Sequence, residues 1–225
     1  MLQALVVYGG WDGHQPKEVG EIFRSVLVKE GFQVQVSDTL EAFNDADRLK
    51  QMDLIVPVWT MGKISGPQSQ AVTAAVESGV GIAGCHGGMG DAFREDCGWQ
   101  FMVGGQFVAH PGNQIPYTVN IRNAQHEITA GLQDFNVLSE LYYMHVDPCI
   151  KILAVTRMPA PNTTGPHLAN GSFDMPVVWT KMHGKGRVFY SSVGHDAKVV
   201  SDEPHLTIMR RGFKWAAAGK ALARG

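Results

Sequence analysis

The pentapeptide Gly84-Cys85-His86-Gly87-Gly88 is the feature that most strongly limits how this chain can fold. It follows the apolar run 80–83, which is typical of a buried strand. A strand that ends in Gly-x-(reactive residue)-x-Gly and turns at once into a helix is the pattern of a nucleophile elbow. The glycines are required because so sharp a turn leaves no space for a Cβ atom. In this register the reactive position falls on His86, and Cys85 points to the other face of the strand.

The chain up to residue 100 alternates between apolar runs and amphipathic segments. Pro16 and Pro67 stand where prolines open helices, and Gly31 and Gly79 stand where glycines end them. This alternation predicts a parallel, doubly wound sheet that binds ligands beyond the carboxyl ends of its strands. The predicted strands are residues 2–8, 32–36, 53–58 and 80–84.

After residue 100 short strands follow one another with brief polar connections, which predicts added antiparallel strands in the C-terminal half. Gly184 to Gly186 predicts a hairpin turn, and Asp202 with Pro204 predicts the start of a closing helix. Residues 157–173 form the one long loop, which we expect to be a surface flap. The predicted strands are residues 115–121, 136–141, 151–156, 176–181 and 187–192.

Composition excludes several classes of protein. The 225 residues are 44% hydrophobic and 18% charged, as in a compact globule, and we expect a single domain over residues 1–225. The net charge of −2, without a basic run, argues against nucleic-acid partners and anionic membranes. No apolar stretch reaches the roughly 18–20 residues of a spanning helix, and the N-terminal segment lacks signal-peptide features. Three cysteines without paired spacing suit a reducing compartment, so we expect a cytoplasmic protein. A homodimer is compatible with this fold class, although no sequence feature demands one.

Three histidines stand beside predicted strand ends or tight turns. His86 is either an acid/base group or ligand, or an inert ring held by hydrogen bonds in its turn. His110 follows a Gly-Gly turn and precedes Pro111, which restricts its backbone and serves either a site or the structure. His195 follows a predicted strand beside Asp196, a carboxylate that either orients an imidazole or caps the next turn. The catalytic candidates are therefore His86, His195 and Asp196.

The segment from Glu140 to His145 adds a carboxylate, two phenols and an imidazole. In an extended segment Glu140 and Tyr142 share one face, whereas Tyr143 and His145 share the other. Glu140 is a further catalytic candidate, and either phenol could hydrogen-bond a sugar-like substrate. The alternative interpretation is a plain amphipathic strand.

His14 and Trp59 lie in loops that should meet at one rim of the sheet. His14 could reach the same crevice, although a single loop histidine is more often solvated. Trp59 could stack on a sugar ring or simply pack near its strand end. Together with His110, Tyr142 and Tyr143, these two residues are the candidate substrate-binding residues.

A metal site is a further hypothesis for the histidines. The sequence has no HExxH motif or other local ligand spacing. A site would have to be assembled across loops from His86, His110 and His195, with Glu140 as a further ligand. Imidazole with carboxylate suits zinc, iron or nickel. The cofactor therefore stays open, with a divalent metal such as zinc, manganese or iron as the candidate.

Short motifs spread over residues 84–196 complete the pattern. In chain order they are the turn 84–88 followed by Asp91-Ala92-Phe93, then Gly104-Gly105-Gln106-Phe107 with His110-Pro111, Glu140-Leu141-Tyr142-Tyr143, Pro176-Val177-Val178-Trp179, Gly184-Lys185-Gly186-Arg187-Val188-Phe189-Tyr190 and Gly194-His195-Asp196. With these motifs in this order, the chain resembles the ThuA-like (trehalose-utilisation) family, a branch of the class I glutamine amidotransferase-like fold. The resemblance covers essentially the whole chain. It implies an α/β fold with a flavodoxin-like, doubly wound, mainly parallel sheet. It also implies a role in carbohydrate catabolism on oxidised (keto) sugars or disaccharides.

The chain departs from the glutamine amidotransferases at two points. Those enzymes use a cysteine at the elbow and a downstream His-x-Glu pair, whereas this chain has His86 and then Gly194-His195-Asp196. Without a thiolate at the elbow no acyl-enzyme can form, so we expect no glutaminase activity.

Three functional hypotheses follow. The first is an enzyme, an isomerase, lyase or hydrolase, that uses His86 and His195 as acid/base groups next to a sugar carbonyl, with or without a metal that polarises it. The second is a non-catalytic sugar-binding or accessory protein on an amidotransferase scaffold. The third, hydrolysis through Cys85, requires the elbow register to shift by one residue.

Overall fold

The computed structural model describes residues 1–223 and contains a nine-stranded sheet. The strands are β1 (Gln3–Gly10), β2 (Gln33–Ser37), β3 (Leu54–Thr60), β4 (Gly81–Cys85), β5 (Gly105–Ala109), β6 (Gln114–Ile121), β7 (Phe135–Glu140), β8 (Tyr143–Val146), β9 (Lys151–Met158), β10 (Phe173–His183) and β11 (Gly186–Ser191). The large sheet has the order β2-β1-β3-β4-β11-β10-β9-β6-β7, and β5 pairs with β8 in a separate two-stranded sheet.

The sheet is parallel at one end and antiparallel at the other. Strands β2, β1, β3, β4 and β11 pair in parallel. From β11 onward each pair, through β10, β9, β6 and β7, is antiparallel. The order of the parallel half is that of flavodoxin-like sheets. The predicted fold class, a mainly parallel sheet with added antiparallel strands in the C-terminal half, is therefore confirmed.

Helices cover both faces of the sheet. They are α1 (Pro16–Lys29), α2 (Ala46–Gln51), α3 (Gly66–Glu77), α4 (Gly87–Gly90), α5 (Cys97–Val103), α6 (Ala197–Ser201) and α7 (His205–Ala223). On β11, a Cβ at Gly186 would meet α3, whereas Phe189 reaches Gly212 of α7. Positions 186 and 189 face opposite sides of the strand, so α3 and α7 lie on opposite faces. No helix within residues 1–223 is long and apolar enough to cross a membrane.

The long periodic elements lie where the sequence predicts them, whereas five of the short ones do not. Helix α1 begins at Pro16 as expected, and the hairpin between β10 and β11 turns at Gly184. Helices α2, α5 and α6 and strands β5 and β8 lie outside the predicted elements, because segments of four to seven residues carry little periodic signal. In α7, Met209 and Phe213 are buried, whereas Leu206 is only half-buried.

The predicted flap is shorter and better packed than its composition suggests. Strand β9 extends to Met158 and β10 begins at Phe173. A 3₁₀ helix over Pro166–Asn170 lies between them, and its His167 is buried.

Candidate functional site

The rim at the carboxyl ends of β1, β3 and β4 carries the candidate site. The loop after β1 is tied to β3 by the Trp11 amide, which donates to the Thr60 carbonyl at 3.1 Å. The loop after β3 is tied to the segment after β4 by the Met61 amide, which donates to the Asp91 carbonyl at 2.8 Å. The three loops that the sequence places on one rim therefore meet there.

His86 stands at a sharp turn between β4 and α4. Its φ of 52° and ψ of −139° lie in a region that glycine favours. Three contacts hold it there: its amide donates to the Ser191 carbonyl at 2.7 Å, its carbonyl accepts from the Tyr190 hydroxyl at 2.9 Å, and its ring Nδ1 lies 2.8 Å from the Ser192 carbonyl oxygen. Strained positions of this kind persist only where the surroundings over-determine them, and they cluster at functional sites.

Glycine is required immediately after His86. A Cβ atom at Gly87 would lie 2.7 Å from the imidazole of His14 and 2.7 Å from the hydroxyl of Thr60. The elbow glycine therefore makes room for a histidine from a different loop, which the local turn geometry alone does not reveal.

Three imidazoles converge on one carboxylate oxygen, Oε2 of Glu140 at the end of β7. This oxygen lies 3.1 Å from His86 Nε2, 3.2 Å from His195 Nδ1 and 3.5 Å from His14 Nε2. All four residues are buried, and one potential ligand atom from each lies within 4.8 Å of all the others. We call His14, His86, Glu140 and His195 the four-residue cluster.

Each imidazole is also held on its other nitrogen. His86 Nδ1 lies 2.8 Å from the Ser192 carbonyl oxygen, and His14 Nδ1 lies 2.9 Å from Thr60 Oγ1. His195 Nε2 lies 2.9 Å from the Gln114 side-chain amide. These outer contacts fix the rings so that their inner nitrogens face Glu140.

The residues of the cluster differ in the direction of their pKa shifts. Burial raises the pKa of Glu140, but the three imidazoles that face it outweigh burial and hold this pKa well below its ordinary value. The contact with Glu140 raises the pKa of His195 against the effect of burial. Burial lowers the pKa of His86 to about 4. The carboxylate is therefore ionised and His86 neutral near neutral pH, whereas His195 takes up a proton more readily.

A cavity of about 220 Å³ opens in front of the cluster. Of the four cluster residues, His14 and Glu140 line this cavity. The other lining residues are Trp11, Met61, Asp91, Arg94, Phe107, His110 and Tyr142. Substrate in this cavity would therefore meet the cluster through its His14 and Glu140 side.

Aromatic and charged groups form the walls of the cavity. Tyr142 stacks on His86 with ring centroids 3.9 Å apart. Arg94 makes a two-pronged contact with Asp91, Nε to Oδ1 at 2.6 Å and Nη2 to Oδ2 at 2.9 Å. Burial raises the pKa of Asp91 even though the Arg94 guanidinium opposes this shift. The cavity thus offers aromatic surface beside fixed donors and acceptors.

The structure brings together some predicted site residues and separates others. Glu140, His86 and His195 meet, and His14 joins them as a buried member instead of a solvated loop histidine. His110 lines the cavity but stands outside the four-residue cluster. Of the histidines that the sequence suggests as metal ligands, His86 and His195 belong to the cluster, and His14 takes the place of His110.

Three predicted residues lie away from the cluster. Tyr143 accepts a hydrogen bond from Asn170 at 2.9 Å, and Trp59 packs against Gly9 and Gly62. Asp196 caps α6 by accepting from the Val199 amide at 2.9 Å. Tyr143 and Trp59 do not line the 220 Å³ cavity, and Asp196 takes the capping role that the sequence left open.

Sequence reasoning missed several residues of the site, namely Trp11, Thr60, Asp91, Arg94, Phe107 and Gln114. Asp91 and Phe107 belong to the motifs that carry the resemblance, so the motifs signalled them without assigning a role.

Cys85 points away from the cluster, as the elbow register predicts. It is buried, and its Sγ packs so closely on Gly194 that a Cβ there would lie 2.7 Å away. Burial raises the pKa of the Cys85 thiol to about 12, so little thiolate forms near neutral pH. Hydrolysis through Cys85 therefore has no support in this geometry.

Solved structures share this fold over nearly its whole length. A ThuA-like protein from Parabacteroides merdae superposes with a TM-score of 0.75 at 20% identity, covering 97% of this chain and 91% of that one. A ThuA-like protein from Bacteroides uniformis gives 0.77 at 18% identity, covering 96% and 91%. A cytoplasmic protein from Salmonella typhimurium LT2 gives 0.66 at 12% identity, covering 98% and 99%. Identities this low establish a shared fold.

The sequence comparison is more specific. Curated protein sequences give no significant match. The model of the ThuA family, described as trehalose utilisation, matches residues 3–216. Because this match extends over nearly the whole chain, the protein belongs to the ThuA (trehalose utilisation) family, which implies a role in sugar metabolism.

Proposed function

We propose that the protein is an enzyme that acts next to the carbonyl group of a keto-sugar or related sugar derivative, with the four-residue cluster as its reacting centre. The observation that carries this proposal is the convergence of three imidazoles on the ionised Glu140 at the wall of a cavity. Family membership supports the substrate class, because the family description is trehalose utilisation.

The walls of the cavity suit a carbohydrate. Trp11 is exposed and lines the cavity, and aromatic faces pack on the apolar faces of sugar rings. The paired Asp91 and Arg94 offer an acceptor and a fork of donors to hydroxyl groups. This combination of aromatic surface and a few fixed polar groups is typical of small-molecule sites.

The cluster supplies acid/base chemistry. Proton transfer at a carbon next to a carbonyl, as in isomerisation, elimination or hydration, suits groups that titrate near neutral pH. Glu140 and His14 face the cavity. His86 and His195 lie behind them, where they stabilise the ionised carboxylate of Glu140 and fix its orientation. We therefore place Glu140 and His14 next to the substrate, with His195 as the partner that takes up a proton and neutral His86 as the ring that orients the carboxylate.

Glutamine hydrolysis is not part of the proposal. The elbow carries an imidazole at position 86, and the neighbouring Cys85 thiol is buried with a raised pKa. An acyl-enzyme needs an accessible thiolate.

We also propose that the protein works in the cytoplasm. Its cysteines, Cys85, Cys97 and Cys149, are all unpaired, which suits a reducing compartment.

The test is a binding and turnover screen with trehalose, other disaccharides and their keto derivatives. A ligand that binds the native state raises the melting temperature, and NMR of the sugar detects turnover. We expect Glu140→Gln to lower turnover by about 100-fold or more while a melting shift persists. Glu95→Gln, at an exposed position paired with Lys63, is the matched control and should behave like the wild type.

Two outcomes would contradict the proposal. If the wild type binds a sugar but converts none of the panel, the protein is a sugar-binding accessory protein. If no sugar shifts the melting temperature and none is converted, the sugar substrate itself is wrong.

A further inference from the structure

We propose that His14, His86, His195 and Glu140 hold one divalent transition-metal ion of the zinc or iron type. The inference deepens the proposed function, because it concerns the same cluster and assigns what that cluster binds. It rests on ring orientation, on unpartnered nitrogen atoms and on interatomic distances.

The orientation of the His86 ring points to a cation beside it. Its Nδ1 faces the Ser192 carbonyl oxygen at 2.8 Å, and a carbonyl only accepts, so Nδ1 carries the hydrogen. In the neutral ring, Nε2 then has a lone pair, and this lone pair points at Glu140 Oε2 3.1 Å away. Two lone pairs at this distance repel each other unless a proton or a cation lies between them.

A second proton on His86 does not resolve the cluster. The residue is 1% exposed, and burial disfavours a charged ring. Such a proton would also leave His14 Nε2 and His195 Nδ1 unexplained. Both atoms are buried, lie close to Glu140 and have no hydrogen-bond partner. A single cation at the centre satisfies all three nitrogen atoms together.

The distances fit a tetrahedral ion. Ligand bonds of about 2.0–2.2 Å around zinc place neighbouring ligand atoms roughly 3.4 Å apart. The separations from Glu140 Oε2 to the three nitrogens are 3.1, 3.2 and 3.5 Å. All four ligand atoms lie within 4.8 Å of one another, so a small contraction would complete the tetrahedron. Imidazole with carboxylate is the donor set that suits zinc and iron.

The outer contacts also match those of metal-binding histidines, which hold a hydrogen-bond partner on the second nitrogen. Ser192 and Thr60 take this role for His86 and His14. At His195 the Gln114 amide nitrogen faces Nε2 at 2.9 Å. A half-turn of this amide would present its oxygen to Nε2–H and leave Nδ1 free to bind the ion.

The ion would serve the proposed chemistry from the side of His14 and Glu140, which line the cavity. One carboxylate against two positive charges leaves the centre with a net positive charge. Such a centre polarises a carbonyl oxygen as a Lewis acid. With the ion bound, the three imidazoles would act as ligands and would no longer exchange protons directly with the substrate.

The experiment measures metal content and affinity without reference to turnover. Protein purified with its affinity tag removed is stripped with a chelator and reloaded with Zn²⁺, Fe²⁺, Mn²⁺ or Co²⁺. We expect about one ion per chain by elemental analysis, and a visible Co²⁺ spectrum of a tetrahedral site. Thr60→Val should weaken binding by about 10–100-fold, and His14→Ala or Glu140→Gln should weaken it further. His110→Ala, which changes a cavity histidine outside the cluster, is the matched control and should keep full affinity.

Stoichiometry near zero with every ion, or equal affinity in His14→Ala and in the wild type, would overturn the inference. The two proposals fail separately. Metal binding without any sugar conversion would contradict only the proposed function. Sugar conversion by a protein that binds none of the ions would contradict only the metal site.

Discussion

His86 has a strained backbone conformation and a tightly held imidazole. Its backbone adopts φ 52°, which few non-glycine residues tolerate, and its ring is fixed between the Ser192 carbonyl, Glu140 and Tyr142. The flanking residues cannot take over this position, because Cys85 faces the opposite side and Gly87 leaves space for His14. The imidazole at the elbow therefore defines the kind of chemistry that this site can perform.

The strain at position 86 is measurable by comparing two substitutions that both remove the ring. His86→Gly should be more stable than His86→Ala by about 1–3 kcal/mol, because glycine adopts this backbone conformation without a Cβ penalty. Denaturant unfolding of both variants gives this difference directly. A His86→Ala variant as stable as His86→Gly would show that the turn relaxes and stores no strain.

At the scale of elements, the sheet and its two helical layers are packed through close approaches of small residues. Gly212 in α7 receives the ring of Phe189 from β11, and Gly186 at the start of β11 lies against the Val76 carbonyl in α3. The same strand leads into the Ser191–Ser192 segment that holds His86. The packing of α7 on β11 is therefore coupled to the position of the site.

Gly212→Ala tests this packing. A Cβ there would lie 2.3 Å from the Phe189 ring, and overpacking a core typically costs about 1–3 kcal/mol. We expect the clash to outweigh the roughly 1 kcal/mol by which alanine favours a helix interior over glycine. The free energy of unfolding should therefore fall. Gly66→Ala is the control, because a Cβ at this first position of α3 would contact nothing within 4 Å and should leave stability equal or higher. Unchanged stability in Gly212→Ala would mean that Phe189 moves aside without cost.

Short elements mark the limit of what periodicity predicts. Alternation along one extended segment predicts that Glu140 and Tyr142 share a face and that Tyr143 lies on the other, but β7 ends at Glu140. The chain leaves one sheet and enters β8 of another at Tyr143. This change of sheet turns Tyr143 toward Asn170 and leaves Tyr142 stacked on His86.

At the scale of the whole molecule, one cluster of buried apolar residues extends through the parallel and antiparallel halves of the sheet. Buried histidines make this core sensitive to acid. His205 at the start of α7 is 1% exposed and lies 3.3 Å from Ser191 Oγ through its Nε2. Burial lowers the pKa of His205 to about 4.

The single domain over residues 1–225 and the homodimer stay predictions.

The pH dependence of unfolding follows from His205. Between its ordinary pKa of 6.5 and about 4, the unfolded chain binds a proton that the folded protein excludes. Stability should therefore fall as the pH is lowered through this window, by on the order of 3 kcal/mol from this group. His205→Gln removes the titration, so its free energy of unfolding should fall less between pH 7 and pH 4.5 in parallel denaturant titrations. Parallel curves for variant and wild type would rule out this role of His205.

The sequence by itself determined the class of fold and the character of the elbow. Strong periodicity and the Gly-x-x-x-Gly pattern are local properties, so the parallel strands, the helix from Pro16 and the imidazole at position 86 could be predicted from short segments. Only the tertiary structure decided which residues form the site. His14 rather than His110 faces Glu140, and the residues that meet come from distant parts of the chain and of the sheet. His14 follows β1, His86 follows β4, and Glu140 ends β7, which is the far edge strand of the sheet. No local pattern encodes such a distance, since it depends on how all the strands pair at once.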